Sequence, residues 1–381
     1  MGNFHPAVTH LLLARKKVAS CLSTVPSLQE AAEGCVRLTE YMDESFEQKY
    51  VRQEPLEVTA ECSVYRCINR TSKSLFTMKV AFADTPPRTR ALQSEITLLK
   101  YLGTLSPFIV NLWDYSSRNF DVESMEAGKQ GTCSAKIQEV VFVMDNFDSD
   151  LLRLARSKSL TEGDLKSIAR QLLRGLQYVH NHDVVHQFVR PAAVKVVESA
   201  SVNKLKLGCF HRATRGVEPF LQPENAMDAN FFAPELLRGG PLTSKADIWA
   251  AGLTLFFCLH RYLPFSGDCV FTTYANIMQL DARKLPHFLW ASPDSLYLTP
   301  GVKHFLESML HPDPLKRLTA EAALNHRWIR VPEPVPPKID MKILQSNKED
   351  IPPSSKSGSS RPPLVPRLDL SQLSENVETL C

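Results

Sequence analysis

The chain has 381 residues, 44% of them hydrophobic and 22% charged, so it can form a sizeable core and disorder throughout is excluded. Its 44 Lys and Arg nearly balance 41 Asp and Glu, which argues against nucleic acid or an anionic membrane as the main partner. Glycine is scarce, with 15 residues or about 4% against the roughly 7% usual in soluble domains. A fold that depends on glycine loops is therefore suspect here.

Nine scattered cysteines form no C-x-x-C pair, which favours neither a zinc site nor a disulfide framework. A reducing compartment, cytoplasmic or nuclear, is the better expectation. The longest apolar stretch, residues 248–259, is shorter than the ~20 residues that cross a bilayer. We therefore expect no transmembrane segment.

Three zones follow one another along the chain. Residues 1–50 predict an N-terminal extension of low specificity, and residues 51–330 alternate periodic segments with turn signals as a globular domain does. Residues 331–381 are rich in Pro and Ser and predict a flexible tail.

The first part of the globular zone is rich in predicted strands. Val64–Ile68 and Phe76–Phe82 predict a hairpin, and residues 140–144 predict a further buried strand. Between them, apolar residues recur at i, i+4 and i+7 from Leu92, which indicates a helix.

The second part is predominantly helical. Thr161 and Asp164 form a capping box before an apolar stripe, and residues 247–259 are apolar nearly all round, which predicts a central buried helix. A β-rich part followed by a helical part predicts an α+β architecture.

The order of these segments resembles a protein kinase over roughly residues 50–330. The resemblance implies a two-lobed fold, with a small β-rich N-lobe at about residues 51–147 and a larger helical C-lobe at about residues 148–330. In the first lobe, Lys79 matches the V-A-I-K lysine and Glu95 its helix partner. Further matches are residues 186–193 for the catalytic loop, residues 209–211 for D-F-G, residues 233–235 for A-P-E, and Asp247, Trp249 and Gly252 for D-x-W-x-x-G. Arg317 matches the late arginine, which in this family pairs with the A-P-E glutamate, here Glu235.

Several places that carry chemistry in this family are changed. Phe188 stands for the catalytic-loop aspartate and can accept no proton. Ala193 stands for the asparagine and Cys209 for the D-F-G aspartate that hold Mg²⁺, a cation that prefers oxygen ligands. Arg190 replaces the adjacent lysine, keeping the charge but not its point-like geometry. The resemblance thus implies no catalytic residues here and no bound Mg²⁺.

The phosphate-binding loop is also changed. Its three glycine places fall at Glu57, Thr59 and Cys62, where side chains block a close approach of backbone to phosphates. Glu57 and Glu61 also place carboxylates near an anionic ligand. Binding of ATP is expected to be weak or absent.

The adenine part of the cleft is only partly altered. The residues compatible with binding a flat ring are Val64, Thr77, the gatekeeper Met144 and the hinge residues Asp145 and Phe147. Together with Lys79 and Glu95 they would form a vestigial nucleotide cleft. Lys195, however, stands where the family has an apolar floor, so a cation would have to be buried or turned aside.

Retained charged residues have two interpretations. Lys79 and Glu95 are either a surviving catalytic pair or a structural tie between helix and sheet, and we favour the structural one. His186 and Asp247 are more simply explained by bracing the catalytic loop than by chemistry. Gln187 replaces the arginine that reads an activation-loop phosphate, so that route of switching is not expected.

These changes predict a pseudokinase, a scaffold or allosteric regulator of a protein partner such as an active kinase or its substrate. One alternative is an active serine/threonine or Wee-type kinase with displaced carboxylates, such as Asp183 or Glu198. Another is a small-molecule sensor that uses the adenine cleft. Val189, Pro191-Ala192, Lys206-Leu207-Gly208 and Trp113 further resemble the Wee and Myt cell-cycle kinases, which would place the chain in cell-cycle control.

Overall fold

The computed structural model describes residues 44–58, 62–83, 85–125, 132–198, 202, 204–216 and 226–331. Residues 1–43 and 332–381 lie outside this description, and with them most of the predicted N-terminal extension and nearly all of the predicted tail. The limits proposed for the three zones stay predictions.

The first part of the chain forms a five-stranded antiparallel sheet in the order β1-β2-β3-β5-β4. Its elements are α1 (Glu44–Lys49), β1 (Tyr50–Val58), β2 (Cys62–Asn69), β3 (Leu75–Ala83), α2 (Pro86–Leu102), β4 (Leu112–Met125) and β5 (Thr132–Asp145). The predicted hairpin is β2–β3, with Val64 opposite Lys79 and Cys67 opposite Phe76. The strand predicted at residues 140–144 is part of β5.

The alternation of side chains gives this sheet two buried faces. Val64, Phe142 and Met144 belong to the apolar cluster that faces α2, which buries Leu92 and Ile96 against them as predicted. A second cluster lies on the opposite face, where α1 contributes a buried phenylalanine. Both faces of the sheet are therefore covered by packed apolar side chains.

The larger second part contains most of the helices. They are α3 (Leu151–Ser157), α4 (Glu162–His180), α5 (Ala226–Ala229), α6 (Pro234–Leu237), α7 (Ser244–His260), α8 (Val270–Met278), α9 (Leu285–Leu289), α10 (Pro300–Met309), α11 (Ala320–Leu324) and α12 (Arg327–Arg330). The capping box at α4 is present, and α7 is buried over nearly all its length. The predicted α+β, two-part architecture is confirmed.

Short elements carry the residues of interest between these two parts. β8 (Val194–Val196) lies between β6 (Ser149–Asp150) and β9 (Leu205–Leu207), and β7 (Val184–Val185) pairs with β10 (Thr214–Arg215). The 3₁₀ turns Pro191–Ala193 and Phe210–Arg212 follow β7 and β9, and a third, Pro293–Tyr297, precedes α10.

The catalytic-loop and D-F-G places thus lie side by side. The Gly208 amide donates to the Ala193 carbonyl over 2.8 Å, which joins the two segments directly. Among the helices that the structure describes, none is both long enough and apolar enough to cross a membrane.

Candidate active site

Lys79 and Glu95 meet across the first lobe. The ammonium of Lys79 on β3 donates to the Glu95 carboxylate on α2 over 2.8 Å, and the side chains are only 16% and 3% exposed. Burial is the strongest influence on Lys79 and by itself lowers its pKa, but the attraction and hydrogen bond of Glu95, with the nearby Cys62 and Cys209, raise that pKa above its ordinary value. Lys79 therefore stays protonated, and its bond to Glu95 ties helix to sheet.

Asp247 braces the loop that begins at His186. Its carboxylate accepts from the backbone amides of His186 and Gln187, each over 2.8 Å, and contacts His180 Nε2 at 2.9 Å. His186 Nδ1 accepts from the Phe188 amide, and Nε2 faces the Gly208 carbonyl. Because a carbonyl can only accept, the hydrogen of this imidazole must be on Nε2.

Phe188 lies at the place of the family's base, packed between a guanidinium group and an imidazole ring. The Arg190 guanidinium stacks 3.7 Å from the centroid of its ring, and the His211 ring meets it edge-on at 4.4 Å. An aromatic ring in this position offers a π face to a cation and no lone pair to a proton. The geometry is that of a packing contact.

Asp228, which the sequence did not single out, anchors this stack. Its buried carboxylate accepts from Arg190 Nη2 at 2.5 Å and from Arg212 Nη1 at 3.3 Å. The pairing connects the catalytic loop, the turn after the D-F-G place and helix α5 through one anion. No spacing pattern could reveal it, because the three residues come from separate segments.

The two predicted metal-ligand places also meet here. Ala193 is fully buried in its 3₁₀ turn and presents only a methyl group. Cys209 is partly buried, carries a free thiol and adopts a left-handed conformation with φ 63°. Neither side chain offers the hard oxygen that Mg²⁺ prefers.

His211 is held neutral by its surroundings. Its pKa lies well below 6.5, chiefly because of burial and then because of the neighbouring charges of Lys79, Arg212 and Arg190. Burial also lowers the pKa of His186. Below pH 6.5 the unfolded chain therefore binds protons that the folded chain does not, and the fold loses stability as the pH falls.

Replacing His211 with glutamine should remove part of this pH dependence. Between pH 7.5 and 5.5, the wild type should lose about 1 kcal/mol more unfolding free energy than H211Q, measured by urea denaturation. H287Q, at an exposed position, should behave as the wild type. An equal loss in wild type and H211Q would contradict the assignment.

Asp145, expected simply to line the cleft, fixes the hinge to two other segments, the start of β4 and β9. Its carboxylate accepts from the Asn111 amide at 2.9 Å, the Trp113 indole at 2.7 Å and the Lys206 ammonium at 2.7 Å. The part played by Lys206 and Trp113 was missed, because their sequence context gives no sign of a shared partner. Charge-assisted bonds of this kind restrict movement of the hinge.

The other predicted cleft residues are brought together and face one another. Thr77 is fully buried, and its hydroxyl accepts a hydrogen bond from the Phe147 amide at 3.2 Å. Val64, Met144 and Phe147 belong to one apolar cluster. Lys195 is partly buried, and its ammonium donates to the Ala192 carbonyl and lies 5.3 Å from the Phe147 ring centroid. The cation predicted on the cleft floor is thus turned toward the backbone and an aromatic ring.

The phosphate-binding loop is described only in part, since Thr59 and Glu61 lie outside the described residues. Glu57 is the next-to-last residue of β1 and pairs with Val64, while Cys62 begins β2. Arg153 Nη1 on α3 donates to the Leu56 carbonyl at 3.3 Å. This bond links the first strand to the second lobe.

Gln187 lies beside this centre, whereas the two carboxylates considered as displaced catalytic residues lie apart from it. Gln187 donates through its amide to the Thr214 hydroxyl at 2.8 Å, so it contacts the start of the activation segment. Glu198 is exposed and pairs with Lys204, and Asp183 is exposed beside β7. No described contact connects either carboxylate with Phe188.

A buried ion pair completes the framework. Arg317 is inaccessible to solvent and binds Glu235 through two parallel bonds of 2.6 and 2.8 Å, as the resemblance implied.

A profile of the family described as "Protein kinase domain" matches residues 59–329, well over half of the chain. The chain belongs to the protein kinase family.

Curated relatives of this kinase domain include the maternal embryonic leucine zipper kinase of Xenopus laevis, 30% identical over 45% of the chain and 25% of the relative. Calcium/calmodulin-dependent protein kinase type II of Caenorhabditis briggsae is 30% identical over 44% and 31%. Death-associated protein kinase 2 of Mus musculus is 27% identical over 62% and 58%. The chain thus spans about a quarter to a third of the first two relatives.

Solved kinase structures share the fold. The twitchin kinase region from C. elegans has a TM-score of 0.59 at 22% identity and covers 79% of this chain and 50% of that one. The autoinhibited serine kinase domain of titin has a TM-score of 0.56 at 20% identity, covering 75% and 81%. At these identities the similarity establishes the fold alone.

Proposed function

We propose that this kinase-family chain is catalytically impaired and acts as a scaffold or allosteric regulator of a protein partner. The observation that carries the proposal is the stack of Phe188, Arg190 and His211, which fills the place of the catalytic base with a packed aromatic ring. A positioned base typically contributes a factor of about 10² to 10⁴ to the rate.

The chemistry of the metal places supports the same proposal. Phosphoryl transfer depends on metal ions that neutralise developing charge. Ala193 has no ligand atom and Cys209 offers a soft sulfur. Within the described ranges, no group of three or more His, Cys, Asp or Glu side chains is arranged to hold a metal ion. These residues do not fit Mg²⁺.

The ion pairs and the bracing carboxylate that this chain retains have a structural role under this proposal. The pairs Lys79–Glu95 and Arg317–Glu235 and the bracing carboxylate of Asp247 hold the lobes and loops in position without doing chemistry. A rigid two-lobed domain of this kind offers large surfaces to other proteins. We therefore infer a protein partner, such as an active kinase or one of its substrates.

Calorimetric titration with ATP, with and without Mg²⁺, tests the nucleotide part of the proposal. We expect no saturable heat in either buffer. Saturable binding that Mg²⁺ strengthens would contradict it, because such binding requires the metal ligands that Ala193 and Cys209 replace.

Affinity purification of the tagged full chain, beside chains that lack residues 1–50 or 331–381, tests the partner. We expect all three chains to recover the same protein partner, because residues 51–330, which all three contain, should bind it. Recovery of none above a tag-only control would contradict the scaffold role.

The Wee/Myt resemblance gives this experiment a specific hypothesis. If the chain is a degenerate member of that branch, a cyclin-dependent kinase should be among the recovered proteins. Its absence, with other kinases present, would overturn the branch assignment and leave the pseudokinase proposal standing.

A further inference from the structure

The hinge amide of Phe147 lies where the β-ladder ends. The last pair between β3 and β5 is Phe76 with Asp145, so the Phe147 amide has no partner in the ladder. It donates instead to Thr77 Oγ1 at 3.2 Å. Thr77 is fully buried and Phe147 is 7% exposed, so this is an interior bond that excludes water.

Phe147 is also held from the other lobe. Lys195, on β8, places its ammonium 5.3 Å from the centroid of the Phe147 ring while donating to the Ala192 carbonyl at 2.9 Å. The residue is therefore held by β3 through its amide and by β8 through its ring.

We propose that the Thr77 hydroxyl is an internal cap that closes the hinge to purine rings. A ring nitrogen could accept a hydrogen bond from the Phe147 amide only by displacing the Thr77 hydroxyl. That hydroxyl would then be buried without its hydrogen bond. An unsatisfied buried polar group of this kind weakens binding by about 10- to 100-fold. The inference rests on the proposed function in one respect, that the cleft is a former nucleotide site.

Apolar filling is the competing explanation for a closed cleft. Phe147 packs in one cluster with Val64 and Met144, so bulk alone could exclude a ring. Substitutions of Thr77 separate the two causes. Serine keeps the hydroxyl and removes the methyl group, valine keeps the volume and removes the hydroxyl, and alanine removes both.

Amide hydrogen exchange at Phe147, followed by NMR of protein labelled with ¹⁵N-phenylalanine, tests the cap without any ligand. The amide should be protected in wild type and T77S, and should exchange at least about tenfold faster in T77V. Equal exchange in wild type and T77V would overturn the proposal. This test needs only T77V and T77S, so it stays decisive if T77A does not fold.

Titration with adenosine, which carries no phosphate for Glu57 to repel, tests the consequence. T77A should bind adenosine at least about tenfold more tightly than wild type and T77S. T254A, which truncates a buried threonine that bonds only within its own helix, should behave as wild type. Equal affinities of wild type and T77A, or an equal gain in T77S, would overturn the cap.

The two proposals fail separately. Equal adenosine affinities of wild type and T77A, without phosphoryl transfer by either, would overturn the cap and leave catalytic impairment intact. Transfer of phosphate from ATP by the wild type would instead contradict the proposed function.

Discussion

Replacing Arg317 with methionine is expected to lower the free energy of unfolding by about 3–5 kcal/mol. The substitution leaves the Glu235 carboxylate buried without its guanidinium, and it also removes the bonds of Arg317 to the carbonyls of Lys245 and His311. Urea denaturation followed by circular dichroism measures the effect.

The exposed pair Lys204–Glu198 supplies the control, because K204M should change stability by less than about 1 kcal/mol. A double variant, R317M with E235M, should be less destabilised than the sum of the two single variants, since no charge is then left unpaired. An R317M loss of the same size as that of K204M would refute the structural role of this pair.

Replacing Asp228 with asparagine should have the second largest effect, about 2–4 kcal/mol of unfolding free energy. Arg190 and Arg212 share this carboxylate, and both side chains are largely buried, at 16% and 5% exposure. Removal of the shared anion leaves two neighbouring cations to repel each other at the centre of the catalytic loop.

D148N is the matched variant, since Asp148 pairs with Arg66 near the surface, where a pair contributes about 0–1 kcal/mol. Equal stability losses in D228N and D148N would show that Asp228 does not anchor the loop. Asp228 is also the residue that distinguishes this site from what sequence reasoning foresaw.

Local patterns in the sequence were sufficient for the framework. The β2–β3 hairpin, helix α2 and the capping box at Thr161 follow from periodicity and short-range hydrogen bonding, which act within a few residues. The pairs Lys79–Glu95 and Glu235–Arg317 came from the family resemblance, because they join segments far apart in the chain.

The contacts that fill the cleft could not be predicted in the same way. Thr77 was expected to line an adenine pocket, yet its hydroxyl binds the Phe147 amide. Lys195 was expected to be an obstacle, and the direction of its ammonium depends on the Ala192 carbonyl. Such choices depend on which donors and acceptors meet in three dimensions, and no spacing in the chain encodes them.

Phosphoryl transfer from Mg²⁺-ATP to a broad peptide array, by wild type beside K79M, tests the central claim of catalytic impairment most directly. Since the base place is Phe188 and the metal places are Ala193 and Cys209, we predict equal, background incorporation by both proteins. Metal-dependent incorporation by the wild type that K79M abolishes would contradict the claim, and its loss on changing Asp183 or Glu198 would identify a displaced catalytic carboxylate.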